Sequence, residues 1–343
     1  MTQEVDFSVI VILGRGELEP CLPSLLNQDF SDYEIIAVVG SESEKNPELE
    51  RVRWLVVEEN NPALRRNRAL EIARGRYLAF IDDDARAEAG WLKKARAIWE
   101  SHPDWAGFGG VNLAPAEQSW REELVDLILS DHLFGSGSRA YQSGATPHPA
   151  RPGEVHLSNF FILREVLKKL GGFNEKLGYG GEDSELVYLV KKVLGKEIWF
   201  VPELWVWHQR RKFGWSYLVR NFRFRWQNGR LLWVYPEMYL WNLSLWLGLA
   251  GSILLIFLLA FSPKIFFYLV IIYWLFFSLW GLFRLKRRKW LFLFSGLVYF
   301  FHHLSYLLGL WAGLLEGIIL GPGRIRKKLA RENLEEIQPD DNI

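Results

Sequence analysis

Cysteine is almost missing. Cys21 stands alone among 343 residues, which excludes an intramolecular disulfide. It falls in an apolar pattern of helical spacing, where a buried thiol is the expected role. Net charge is almost missing too: a formal +1 selects no partner by bulk electrostatics. The first residues, Met1 to Phe7, are polar and acidic. No signal peptide is therefore expected, and the N-terminal domain is expected to stay in the cytoplasm. Acidic residues are absent from Gln209 to Tyr235, and charged residues of either sign from Leu240 to Phe261. The first gap points to a polyanionic surface, the second to a bilayer.

Hydrophobic residues make up 50% of the chain, and the 17 Trp, 23 Phe and 12 Tyr crowd beyond Trp199. Acidic residues concentrate before Asp183. Apolar runs at 7–13, 33–39, 52–57, 77–81, 107–113, 155–163 and 198–207 read as strands, several of them buried on both faces. Helical patterns cover 18–27, 62–73, 91–101, 164–170 and 184–194. This alternation predicts an α/β domain over residues 1–208, with a mostly parallel sheet covered by helices. The stretch 114–150, rich in Pro, Ser, Gly and His, reads as a long, partly mobile connection.

Two acidic clusters carry the chemistry. The run Tyr77–Ile81 ends at Asp82, Asp83 and Asp84. Three crowded carboxylates cost free energy unless a cation or a set of donors lies between them. Mg²⁺ and Mn²⁺ take such oxygen ligands and complete their shells with phosphate oxygens. Open α/β sheets also bind ligands at the carboxyl ends of their strands. The second cluster, Gly178-Tyr-Gly180-Gly181-Glu182-Asp183, opens a helix. Helix capping accounts for acids there, and the glycines additionally let a ligand approach the backbone.

Beyond residue 208 the expectation is an interfacial segment, 209–239, in which Arg and Lys alternate with aromatics, as a helix lying on an anionic membrane requires. Nucleic acid is the other polyanion that suits such a pattern, and a span starting a few residues later favours lipid. Three membrane segments are expected at about 240–261, 265–283 and 290–320, followed by a polar tail, 323–343. The basic loop Arg284–Lys289 should be cytoplasmic. A third full span would put the basic tail Arg324–Lys328 outside, against the same rule, so the third segment either returns, lies partly in the interface, or violates it. His302, His303 and Glu316 read as helix-packing polar groups or as a polar path for a head group.

With these motifs assembled, residues 7–230 resemble the family 2 glycosyltransferases, inverting enzymes of GT-A fold that use nucleotide-diphosphate sugars. The resemblance lies in Cys21-Leu-Pro-Ser-Leu-Leu-Asn-Gln28, Arg66-Asn-Arg-Ala-Leu70 with Ala73-Arg-Gly75, Phe80-Ile-Asp-Asp-Asp84, Leu170-Gly-Gly-Phe-Asn174 and Gly181-Glu-Asp183. It implies Asp183 as general base with Glu182 tuning it, and a divalent metal on Asp82, Asp84 and His208. Donor contacts would come from Gly14, Arg15, Val39, Glu42 (or Glu44), Arg66, Arg68, Asp82 and Asp83. Gly180, Gly181, Arg223, Arg225 and Trp226 would serve acceptor and diphosphate, since Phe222-Arg-Phe-Arg-Trp226 resembles a processive signature without its Gln. Where the family has an Asp after the second strand, this chain has Val39-Gly40, and Leu13-Gly-Arg-Gly16 lacks the usual opening turn.

The expected function is transfer of one sugar from a nucleotide-diphosphate donor to a lipid-linked or membrane-proximal acceptor. The enzyme would be a multi-pass protein of the cytoplasmic membrane, contacting membrane lipids, with its catalytic domain inside and no nucleic-acid partner. A processive polysaccharide synthase and a catalytically silent scaffold are the alternatives.

Overall fold

The computed structural model describes residues 4–14, 20–135, 138–142, 144, 146–178, 180–240 and 242–331. Arg15 and the start of the expected helix 18–27 lie outside them. The chain divides into two compact units. One comprises Met1–Pro115, Ser138–Gln209 and the chain end from Arg331; the other comprises Ala116–Gly137 and Arg210–Ala330.

In the first unit, β1 (Val5–Ile12), α1 (Cys21–Leu26), β2 (Tyr33–Val39), β3 (Val52–Val56), α2 (Pro62–Ile72) and β4 (Gly75–Asp82) follow one another. Helix α2 starts where Asn61 accepts from the amides of Ala63 (3.0 Å) and Leu64 (3.3 Å), with Pro62 in its first turn. The four strands are parallel, in the order β3-β2-β1-β4. A Cβ at Gly75 would collide with the backbone of Phe7 and Ser8, so only glycine lets β4 begin tight against β1.

Strand β5 (Ala85–Ala87), α3 (Trp91–Ser101) and β6 (Gly107–Leu113) come next. In the second unit lies α4 (Trp120–Leu129). The first then resumes with β7 (His148–Pro149), β8 (Asn159–Leu163), α5 (Arg164–Lys169), α6 (Glu182–Leu194) and β9 (Ile198–His208). Strand β8 runs antiparallel to both β4 and β6, and β6 is parallel to β9. The sheet is mixed and mostly parallel, as expected, with β8 its antiparallel interruption. The pairing of β6 with β9 shifts register between Gly109 and Val111. There the buried Asn159 side chain donates to the Val111 and Leu204 carbonyls (both 3.1 Å), satisfying groups the shift leaves over. The core centres on Phe161, packed by the rings of Phe7, Trp91, Trp99 and Phe108.

The second unit overturns the expectation of a loose connection over 114–150. Ser119 and Glu122 form a capping box that starts α4. Its apolar face (Leu124, Val125, Leu127, Ile128) packs with Tyr217, Phe277, Val298 and Tyr299. These belong to α7 (Trp215–Val234), α9 (Pro263–Arg284) and α10 (Phe292–Leu320); α8 (Leu243–Phe261) lies between α7 and α9, and α11 (Pro322–Leu329) follows α10. Among the described residues, two helices are long and apolar enough to cross a membrane, Pro263–Arg284 and Lys289–Leu320. The first of the three expected spans falls short: Leu245–Phe261 is only a shorter apolar helix. The Asn242 side chain accepts from the Leu245 amide (3.1 Å) and caps α8 there, so the apolar run starting at residue 240 is not helical throughout.

Candidate active site

The carboxyl ends of β1, β4 and β9 lie at one edge of the sheet. After Asp82 the chain turns through Asp83 and Asp84 into β5, which pairs antiparallel with the end of β9, Ala85 opposite His208. The Gln209 amide donates to the Asp84 carbonyl (2.9 Å). This short pairing sets Asp84 Oδ1 2.9 Å from His208 Nε2, with Asp82 Oδ2 3.7 Å from the same nitrogen. One ligand atom from each of Asp82, Asp84 and His208 lies within 4.8 Å of the others. Two carboxylates and an imidazole, all partly buried, are a donor set that suits Mn²⁺ or Mg²⁺. Asp83 points elsewhere and accepts from the Gly14 amide (2.9 Å), tying the end of β1 to the acidic turn. Cys21 is buried nearby, and burial together with Asp83, Asp82 and Asp84 pushes its thiol well up, leaving it inert.

Gly180 (φ 102°) and Gly181 (φ 91°) adopt a backbone that side chains disfavour, and so aim Glu182 and Asp183 from the start of α6. Arg66, on the buried face of α2, places NH1 3.1 Å from Glu182 Oε1 and NH2 3.9 Å from Asp82 Oδ1. One guanidinium thus spans the two acidic clusters. Burial raises the Glu182 carboxyl above its ordinary range and Asp183 beside it adds to this, while Arg66 opposes them. Its Oε2 is buried without a hydrogen-bond partner among the described residues. Burial would raise Asp183 as well. Contacts from His156 Nδ1 (3.5 Å) and from the Ser184 amide (2.7 Å) and hydroxyl (3.3 Å) outweigh it and hold Asp183 below the usual carboxylate range.

His156 is the residue that sequence reasoning missed. It precedes β8, meets Ser138 Oγ at 3.3 Å and lies beside the Tyr141 ring. No local motif marks it; only the antiparallel course of β8 brings it to Asp183. Other expected residues go elsewhere. Arg68 is half exposed and bonds Glu71 (2.8 Å) on the outer face of α2. It is not brought to the carboxylates, because it stands two residues after Arg66 on a helix and faces away. Glu42 pairs with Lys45 (2.8 Å) in solvent. Glu44 instead folds back on the end of β2, accepting from the Gly40 amide (3.3 Å), next to Val39, and from Ser41 Oγ (2.9 Å). Arg223, Arg225 and Trp226 belong to the second unit. There Arg225 stacks on Tyr306 (4.1 Å to the centroid), Trp226 lies beneath Arg230 (4.6 Å), and Arg223 is exposed.

Residues 9–170 match the family described as "Glycosyl transferase family 2". Residues 9–170 thus carry a family 2 glycosyltransferase domain. A relative in Haloferax volcanii, named glucosyl-dolichyl phosphate glucuronosyltransferase, is 24% identical over 60% of this chain and 68% of its own. EpsH of Bacillus subtilis is 33% identical, over 24% of this chain and 26% of that protein. Among solved structures, the mannosyltransferase PcManGT of Pyrobaculum calidifontis, held with GDP-Man and Mn²⁺, shares the fold. Its TM-score is 0.55 at 18% identity, covering 89% of this glycosyltransferase and 88% of that chain.

Proposed function

We propose that this glycosyltransferase moves a single sugar, with inversion, from a nucleotide-diphosphate sugar to a lipid-linked or membrane-proximal acceptor, assisted by a divalent metal. The observation that supports this most directly is Arg66 held between Asp82 and Glu182. It joins a metal-type cluster at a strand end to a base-type pair at a helix start. The relative's dolichyl-phosphate substrate and the apolar helices of this chain both favour a membrane acceptor.

In this reading Asp82, Asp84 and His208 hold Mn²⁺ or Mg²⁺, which supplies positive charge against the departing diphosphate. Asp183, kept ionised by His156 and Ser184, takes the proton of the acceptor hydroxyl as the sugar passes through an oxocarbenium-like state. Glu182 and Arg66 fix the start of α6 so that the Asp183 oxygens face the acceptor. Gly14 would meet the donor through backbone alone, and Glu44, rather than Glu42, would stand near its base. Gly180 and Gly181 would admit the acceptor's phosphate to the helix start. The catalytic unit would face the cytoplasm, with the apolar helices α8 and α9 seated in the membrane.

Asp183→Asn tests the assignment. It should lower single-turnover transfer by about 10²–10⁴-fold, the typical contribution of a general base, with donor affinity unchanged. Turnover within a few-fold of wild type would remove Asp183 from that role.

A further inference from the structure

Helix α10 is apolar and long enough to cross a bilayer, yet its two faces differ. Phe294, Leu297, Phe301, Leu304, Leu308 and Leu315 are exposed. Their spacing of three, four and seven makes one continuous apolar stripe along the helix. The opposite face is buried: α9 packs along its first half, with Phe277 stacked on Tyr299 (4.5 Å) and Gly281 against Ser295, and polar groups of the segment after α4 join it there. Tyr299 donates to Asp131 (2.6 Å), a carboxylate only 1% exposed that follows α4, and His303 meets the Phe134 carbonyl (2.5 Å).

From His302 onward helix α7 takes over, running parallel to α10. Tyr217 bonds His302 (2.9 Å), Asn221 donates to Ser305 (2.7 Å), and Trp233 Nε1 donates to the Leu314 carbonyl (3.2 Å). Gly309, Gly313 and Gly317 permit this approach, because a Cβ at each would strike the Phe222 carbonyl, the Trp226 carbonyl and the Trp233 ring. Arg225 stacks on Tyr306, and Arg230 pairs with Glu316 (3.3 Å). If α10 crossed the hydrocarbon, α7 and its arginines would have to cross beside it, which apolar lipid strongly disfavours.

Resting on the membrane-attached reading above, we infer that α10 does not span the bilayer but lies in the plane of one leaflet. Its exposed stripe is seated among acyl chains, and α7 with the 116–135 segment covers its aqueous side. The partner is the anionic cytoplasmic leaflet. Charge complementarity selects it: Lys286 and Arg287 stand exposed just before the helix, and Arg324, Lys327 and Lys328 stand exposed just after it. At 1.5 Å per residue, 29 residues reach about 44 Å, well beyond a hydrocarbon core of roughly 30 Å; an in-plane helix has no such limit. The arrangement also removes the topological conflict, since both basic ends then lie on one side.

The test uses the full chain in a Cys21→Ser background, with single cysteines from Lys286→Cys or Lys327→Cys. Inverted and right-side-out membrane vesicles are treated with a membrane-impermeant maleimide. Both positions should label in the inverted vesicles only. Labelling from opposite faces would mean that α10 spans, and would overturn the inference while leaving membrane attachment intact. A chain that fails to float with the vesicles would instead sink the attachment itself, and this inference with it. Spin labels at Leu297, Leu308 and Leu315 give an independent reading: equal, shallow depths support an in-plane helix, and a graded depth profile refutes it.

Discussion

Replacing Arg66 by alanine probes the bridge between the two acidic clusters. Arg66 and Glu182 side chains are each 10% exposed and 3.1 Å apart, so solvent screens the pair little. Removing one member of a buried ion pair typically costs about 3–5 kcal/mol, because the other charge stays buried and uncompensated. At roughly 2–4 °C per kcal/mol for a domain of this size, the melting temperature should fall by about 6–20 °C. The cost must depend on pH. The Glu182 carboxyl already lies above its ordinary value of 4.5, chiefly through burial, and loss of Arg66 raises it further. A group whose pKa is raised by folding contributes stability that is fully present below its unfolded pKa and is lost as pH rises through the folded one. The deficit of Arg66→Ala relative to wild type should therefore be small near pH 4.5 and grow to its full size at pH 8.

Thermal unfolding of the detergent-solubilised full chain across that range measures this. Adding Glu182→Gln to Arg66→Ala removes the stranded charge and should recover most of the loss at pH 8. A deficit that does not vary with pH, or that Glu182→Gln fails to relieve, would refute the charge argument. Arg66 would then matter only through packing, for instance against the Phe173 ring beneath its guanidinium (5.8 Å).

Three further outcomes follow from the same geometry. Mn²⁺ at a hundred times its dissociation constant should stabilise the folded chain by about 2.7 kcal/mol; Asp84→Ala should abolish the accompanying thermal shift, and a shift that survives it would place the metal elsewhere. His156→Gln removes a contact that lowers the Asp183 carboxyl, so the acid limb of the pH–rate profile should move to higher pH with the alkaline limb unchanged; an unmoved acid limb would show that His156 does not set it. Glu44→Gln should weaken donor binding measured by calorimetry, whereas Glu42→Gln, which disturbs only a solvent-exposed pair with Lys45, should leave it within twofold.

What the sequence made legible is local. The buried run ending at Asp82, the proline-led helix carrying Arg66 and the glycines before Glu182 each declare themselves within ten residues, and each sits where its pattern requires. The misses depend on contacts far apart in the chain. Strand β8 reads like any apolar run, and only its neighbours β4 and β6 make it antiparallel. That orientation is what carries His156 to Asp183, so no motif marks the histidine. Strand β5 is three residues long and exists because β9 runs on to His208 beside it. Helix α4 did leave a signal, Ser119-x-x-Glu122, obscured by the Pro, Ser and Gly around it. The last apolar run, 290–320, does form a helix long and apolar enough to cross a membrane, but composition cannot report that its Gly309, Gly313 and Gly317 face is covered by a helix rich in arginine.

The charges of the site constrain its chemistry further. Three acidic side chains of the site have partners of their own: Asp83 the Gly14 amide, Asp183 His156 and Ser184, Glu182 the Arg66 guanidinium. Asp82 and Asp84 converge on the single imidazole of His208, with Arg66 reaching Asp82 only at 3.9 Å. Two carboxylates thus meet at the end of β4, where a nucleotide diphosphate would bring further negative charge in the proposed reaction. A divalent ion held by the two aspartates would neutralise part of that charge. Reciprocity then requires donor and metal to strengthen each other's binding by the same factor. In the proposed reaction Asp183 would take the acceptor's proton while residues from another part of the chain would neutralise the leaving group.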